Sequence, residues 1–413
     1  MDLTSITFGG DALGYSFARE IYHTYGIKTI VNASVVQKYT ACSRFTTYQV
    51  FENADREDIM MDWLRKNAGY FDGRPLVFGG AGDWRARTLS EHKKELTDLG
   101  YVIPYIDFEL LDKVTQKDKF YAMCGRLNVP YPKTLVLPFG EHYDESLLQG
   151  SGMEVINPDM FRELEYPLIA KPSNSAGWHN ADIRDRHKVY LITSPEMMEQ
   201  VFNDVASSDY SYALLLQEVL SQSDESLHSI TTFSDKDGNM LLGVTGDVLV
   251  QDRSATGIGN PLCILGDERR KDLLDMASRL LKEMKYEGYA NFDVMDGKDG
   301  KPRFLEVNTR PGRNTYYVSL AGCPFVKPMV EHFAFGKDIR KTMSPEELAA
   351  DKPFLFCMVP RSVIEKETHG SKKERALKIY DEKKWGSPIL CKDDALRQRF
   401  WARVNFEHMK SKF

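Results

Sequence analysis

No stretch of the chain approaches the run of about eighteen apolar residues that a membrane-crossing helix needs. The N-terminal MDLTSITFGG has neither a basic segment nor an apolar core behind it, so a signal peptide is not expected. Six cysteines (Cys42, Cys124, Cys263, Cys323, Cys357 and Cys391) stand singly, without a CxxC pair. That usage suits reduced thiols in a cytoplasmic protein and argues against a zinc ribbon or a disulfide framework. The nine histidines form no HExxH. No GxxxxGK followed by Ser or Thr occurs, and the loop GGDALG misses GxGxxG because Asp11 takes the place of the second glycine. A net charge of −6 gives no nucleic-acid footprint. The familiar nucleotide loops are absent.

What is present is ample core material: 413 residues, 42% hydrophobic, enough for about two to four domains or subdomains. Residues 4–9 form an apolar run ending in Gly9-Gly10. Leu13, Phe17, Ile21 and Tyr25 then mark one helical face that stops at Gly26. Strands are expected at Ile27–Val31, Pro75–Phe78 and Tyr101–Ile106, with helices near 56–67 and 90–98. The alternation predicts a parallel α/β domain over residues 1–113.

Lys117, Asp118 and Lys119 open an amphipathic helix to about Leu127, and Pro130 and Pro132 then force extended chain. A helix is expected at 158–165 and a strand at Tyr166–Lys171. Lys171 ends that strand, and the small polar residues Pro172-Ser173-Asn174-Ser175-Ala176-Gly177 follow. Small side chains let backbone N–H groups approach phosphate oxygens, while lysines add charge. Lone lysines are equally compatible with a solvated surface. Beyond the strand Lys188–Ile192 and a helix over 195–205, the apolar run Ala213–Leu216 passes into Gln217-Glu218-Val219-Leu220, with Asp224 close behind.

Residues 289–317 predict a hairpin, with turn signals at Asp296-Gly297 and Asp299-Gly300. Alternation puts Asn291, Asp293 and Met295 on one face, and Phe304, Glu306 and Asn308 together on the returning strand. Two carboxylates and an amide are hard oxygen donors suited to Mg²⁺. A hairpin whose polar side faces water satisfies the same pattern.

Taken in order, Lys117, Lys171 with its small-residue loop, Gln217–Leu220, Asp224, Asp293, Glu306 and Asn308 resemble the ATP-grasp superfamily over about residues 1–335. The resemblance implies an α/β (α+β) ATP-grasp fold with an N-terminal parallel α/β domain. It divides the chain at 1–113, 114–223, 224–340 and 341–413. It implies ATP and Mg²⁺ as cofactors, two ions being expected and Mn²⁺ able to substitute. Lys117 and Lys171 would contact phosphates. The loop 173–178, with Ser173 and Ser175, would close over them. Gln217 would meet the adenine amino group, the backbone of Val219 and Leu220 the ring edge, and Asp224 the ribose, with Glu218 also among the cofactor-binding residues. Asp293, Glu306 and Asn308 would hold metal. The step of thirteen residues from Asp293 to Glu306, then two to Asn308, is similar to D-alanine:D-alanine ligase, but Asn291 stands where that family has arginine. Arg310 and Arg313 are the nearest replacements for that charge, and either is a candidate clamp for a second carboxylate.

Three stretches (Gly9-Gly10-Asp11, KDKFYAMCGRLNVPYPKT and EVNTRPGRNTYY) look like the D-aspartate ligases of peptidoglycan bridge formation. That resemblance implies D-aspartate as amino acid and a stem-peptide amine as acceptor, with no nucleic-acid partner. The expected chemistry is phosphorylation of a carboxylate followed by attack of an amine on the acyl phosphate. No general base is evident. An amino-acid or dipeptide ligase of other specificity, and a non-catalytic nucleotide-binding protein, remain alternatives. The tail 392–413 carries six Lys/Arg against three Asp/Glu, with Leu396, Phe400, Trp401 and Val404 on one helical face. It suits either a packed terminal helix or a contact with an anionic membrane.

Overall fold

The computed structural model describes residues 2–140, 142–221, 223–254, 257 and 259–413, the side chain of Ala176 excepted. Two compact units emerge: Met1–Leu111 with Leu227–Asn291 and Asn308–Phe413, and Asp112–Ser226 with Phe292–Val307.

The first unit begins with a parallel sheet of β1 (Leu3–Phe8), β2 (Thr29–Ala33), β3 (Thr46–Val50) and β4 (Arg74–Phe78), in the order β3-β2-β1-β4. Asp11 starts the helix Ala12–Tyr25 by accepting hydrogen bonds from the N–H groups of Leu13 and Gly14. Gly26 ends it in the left-handed region, at φ 72°. The strand expected at Tyr101–Ile106 is not formed. Only a parallel bridge joins Val102 to Leu76, although Tyr101, Ile103 and Tyr105 are buried. Pro104 lacks the N–H that a continued ladder requires. The strand β3 was not expected, because its outward residues are polar and it lies at the sheet edge.

In the second unit, β5 (Thr134–Pro138), β6 (Glu154–Val155), β7 (Leu168–Pro172), β8 (Tyr190–Ile192) and β9 (Ala213–Glu218) order as β6-β5-β9-β7-β8. The central β9 is buried on both faces, which accounts for its unbroken Ala213–Leu216 run. Its core gathers Leu168, Trp178, Ile192, Met198, Leu214 and Leu216. Residues expected as a helix at 158–165 form a 3₁₀ turn, Pro158–Glu163. The expected open loop 173–178 is partly helical. Asn174 accepts from Gly177 N–H at 2.7 Å and starts the helix Ser175–Asn180.

A seven-stranded sheet comprises β10 (Leu227–Ser234), β11 (Met240–Gln251), β12 (Pro261–Gly266), β13 (Gly288–Asp296), β14 (Pro302–Asn308), β15 (Phe354–Cys357) and β16 (Trp385–Gly386). Its order is β14-β13-β10-β11-β12-β15-β16. The turn between β13 and β14 closes where expected, with Gly297 N–H donating to the Lys301 carbonyl at 2.8 Å. Burial along β14 does not follow a simple alternation: Phe304 is fully buried and packs edge-on against Phe292, with ring centres 5.8 Å apart. Burying an aromatic ring outweighs the period-two pattern there.

The C-terminal residues belong to the first unit. Ala402, Phe406 and Met409 of the helix Leu396–His408 and its end enter a core with Leu265, Leu355 and Ile379. Trp401 packs against the same core, and Lys38 Nζ sits 3.8 Å from its ring centre. Leu396, Phe400 and Val404 are exposed instead. Trp401 therefore does not share their face. No helix among the described residues is long and apolar enough to cross a membrane.

Candidate active site

The second unit gathers charge around Glu306. Lys117 is the first residue of the helix Lys117–Arg126, and its N–H donates to the Ser173 carbonyl at 3.0 Å. This ties the helix start to the end of β7. Lys117 Nζ lies 3.3 Å from Glu306 Oε2. Lys171, next to last on β7, donates to the Tyr121 hydroxyl at 2.9 Å. Tyr121 in turn donates to the Leu305 carbonyl at 2.7 Å and stacks on Tyr131. The strand beside Glu306 and the lysine on β7 thus share one buried phenol.

The grouping has electrostatic consequences. The ammonium of Lys117 draws the Glu306 carboxyl below its usual range, against the opposing effect of burial, and Lys171 and Lys188 add to it. Burial lowers Lys171 to about 8, although Glu306 pulls the other way. Lys188 acts on both groups, yet it was read only as the start of a strand. No local sequence signal separates it from other exposed lysines.

The residues expected around adenine lie at the end of the central strand β9 and just beyond it. Gln217 is buried and donates through Nε2 to Thr134 Oγ1 at 2.7 Å. The Glu218 carboxylate accepts from Lys133 N–H at 2.9 Å and faces Arg303 at 3.6 Å. Val219 and Leu220 are buried, and Asp224 opens a short turn, Asp224–Ser226. Ser173 is buried and its hydroxyl accepts from Ala213 N–H, whereas Ser175 is exposed at the start of its helix. Asp293 lies on β13 in the second unit with Glu306. Asn308, the last residue of β14, is counted in the first.

In the first unit, Arg310 points its fork at Asp83, with Nε 2.9 Å and Nη2 2.8 Å from Oδ1. Arg313 Nε stands 3.9 Å from Asp11 and is half-exposed. Asn291 is buried, and its Oδ1 accepts from the hydroxyls of Thr231 and Ser229 at 2.8 and 3.4 Å. Asn314 donates to the same Ser229, and Tyr317 to Thr231. An arginine at 291 would bring an unpaired charge into this neutral network. Sequence reasoning also missed the trio of buried His228 with partly buried Asp247 and Lys372, joined at 2.7 and 3.1 Å.

Residues 150–341 match the family model described as carbamoyl-phosphate synthase L chain, ATP binding domain. Biotin carboxylase from Campylobacter jejuni superposes with a TM-score of 0.58 at 14% identity, over 83% of this chain and 73% of that one. An L-amino acid ligase from Bacillus licheniformis gives 0.55 at 15% identity, over 86% and 78%. Fold and sequence together define the class the chain resembles: it has the ATP-grasp fold and is similar to ATP-dependent carboxylate–amine ligases. Within that class it is similar to the D-aspartate ligase of Enterococcus faecium, 25% identical over 400 residues, 96% of this chain and 92% of the relative. It also aligns at 21% identity with a carbamoyl phosphate synthase large chain of Archaeoglobus fulgidus, but spans only 25% of that protein.

Proposed function

We propose that the protein couples D-aspartate, through its β-carboxylate, to the side-chain amine of a peptidoglycan stem peptide in the cytoplasm. The observation that carries this reading is the similarity to a D-aspartate ligase along 96% of the chain. The lysine cluster around Glu306 suits its chemistry, and all six cysteines are free thiols, as a reducing compartment requires.

A carboxylate cannot be attacked productively by an amine, because its leaving group would be oxide. Transfer of the γ-phosphoryl group of ATP to a carboxylate oxygen breaks the terminal P–O bond and releases ADP. The amine then attacks the acyl carbon, phosphate leaves with the bonding pair, and the ammonium sheds a proton. Such transfer depends mainly on positioning and charge neutralisation. Lys117 and Lys171 would pair with phosphate oxygens, and Val219 and Leu220 would flank the adenine. The segment 173–178, tethered through Ser173 and Asn174, would exclude water from the acyl phosphate. Asp293, Glu306 and Asn308 offer the all-oxygen donor set that Mg²⁺ prefers, and these residues would hold it. Bound there, Mg²⁺ would neutralise phosphate charge. Arg310 and Arg313 would steady the reacting carboxylate.

The test is amino-acid-dependent ADP release over D- and L-Asp, Asn, Ser and Ala, with mass spectrometry of the product formed on an amine acceptor. D-Asp should dominate. Equal rates with Asn or Ala would remove the diacid assignment and leave a ligase of other specificity.

A further inference from the structure

The four-stranded parallel sheet has a topological switch at β1, since β2 and β3 lie on one side of it and β4 on the other. Open α/β sheets bind ligands outside the carboxyl ends of their strands at such a point. Here those ends are followed by Gly9-Gly10 after β1 and by Gly79-Gly80-Ala81-Gly82 after β4.

One guanidinium occupies this place. Arg85, in the first turn of the helix Asp83–Glu91, is surrounded by these glycines. A methyl group on Gly9 would lie 2.9 Å from its Nη1, on Gly82 3.5 Å and on Gly80 3.8 Å. Gly9 and Gly80 also have φ of +94° and +69°, so glycine is required there twice over. Arg85 Nε is buried without a hydrogen-bond partner. No carboxylate pairs with Arg85 among the described residues; Asp11 and Asp55 act on it only from a distance, and Arg313 adds like charge. Asn32, fully buried at the adjoining end of β2, likewise has neither amide atom satisfied. Its carbonyl accepts from Gly9 N–H at 2.7 Å.

A guanidinium keeps its charge at any ordinary pH, and the Trp84 ring 5.0 Å from that of Arg85 supplies no counter-charge, so a partly buried one without a carboxylate is costly unless an anion meets it. The burial of Arg85 lowers its pKa, in line with that cost. Arg310 differs, because Asp83 already fills its fork. We infer that Arg85, with Asn32 beside it, binds the carboxylate of the amino-acid substrate that is not activated, and so sets the preference for a diacid. The choice of carboxylate rests on the ligase reading above; the anion site itself stands on the geometry.

Calorimetric titration of aspartate into the intact protein, wild type against Arg85→Gln and Arg85→Lys, tests it. Loss of a charged bidentate pair should weaken aspartate binding by about ten- to hundred-fold in both variants. ATP affinity and melting temperature should not change. Succinate should compete with aspartate. If inorganic phosphate competes and succinate does not, the site reads phosphoryl oxygens and the carboxylate assignment is overturned. Should Arg85→Gln fail to fold, Arg85→Lys retains the charge and decides alone, and wild-type affinity in that variant overturns the inference. In ADP-release assays, Arg85→Lys should raise KM for aspartate but not for asparagine; equal increases overturn the role in diacid selection. A wild type that binds aspartate through Arg85 yet releases no ADP with any amino acid supports this site while removing the ligase reading.

Discussion

Lys117 Nζ and Glu306 Oε2 stand 3.3 Å apart, so the lysine proposed for phosphate and the carboxylate proposed for metal neutralise one another. Lys117 is only 13% exposed and Glu306 39%, so neither charge is left to water alone. Binding of a magnesium nucleotide would exchange partners, the phosphate taking the lysine and the cation the carboxylate. Each charge keeps a counter-charge throughout, which avoids the penalty of stranding one.

Glu306→Gln leaves shape and volume almost unchanged but removes one negative charge. Turnover should fall by about 10²- to 10³-fold, the usual loss when one preorganised charged group goes. Melting temperature should fall modestly, because Lys117, 13% exposed, loses its counter-charge. Near-normal turnover at saturating Mg²⁺ would show that Glu306 holds no metal.

Lys171 gives a pH signature. Its folded value is about 8, below the ordinary lysine value of 10.5, with burial the largest cause. The charged form needed for phosphate is present below about 8 and lost above it. The kcat/KM for ATP should therefore decline through pH 8, since that ratio follows the free enzyme. Bound phosphate favours the ammonium, so the limb in kcat should lie higher. The stability sign is opposite: between pH 8 and 10.5 the unfolded chain holds more protons, so this group's contribution to stability rises with pH. Lys171→Arg, charged throughout, should abolish the limb; an unchanged profile assigns it elsewhere.

Arg310 is proposed to grip the reacting carboxylate once Asp83 releases it. Arg310→Lys should raise KM for every amino acid more than KM for ATP, because a point charge cannot reproduce the two-pronged contact. Asp83→Asn, at a position 77% exposed, should lower the amino-acid KM by freeing the fork. Equal KM increases for ATP and amino acid in Arg310→Lys would place this arginine on the nucleotide.

The terminal helix leaves Leu396, Phe400 and Val404 at 78%, 60% and 43% exposure, spaced by four and flanked by Arg397, Arg399 and Arg403. Cosedimentation with vesicles rich in anionic lipid should detect binding, and serine at all three positions should abolish it without lowering the melting temperature. Deleting the helix is a poorer experiment, since Phe406 is core and Phe406→Ala alone should cost about 3–5 kcal/mol. Binding unaffected by the serine variant, or absent altogether, leaves the helix a packing element.

Local chemistry was enough for several elements. Asp11 and Gly26 bound their helix at both ends, the Asp-Gly pairs close the β13–β14 turn, and the run Ala213–Leu216 marks a doubly buried strand. Of the residues singled out through the family resemblance, the structure brings Lys117, Lys171 and Glu306 together. What only the tertiary structure decided is which charges meet. Pairing depends on side chains far apart in the chain, as Arg310 meets Asp83 and His228 meets Asp247, and no local propensity encodes it. The same holds for Pro104 breaking an otherwise apolar strand pattern, and for Trp401 turning inward while its neighbours face out. Arg85 shows the limit most clearly. Nothing in DWRART separates it from a solvated helix arginine; only the switch in sheet order brings glycines from two strand ends around its partly buried guanidinium.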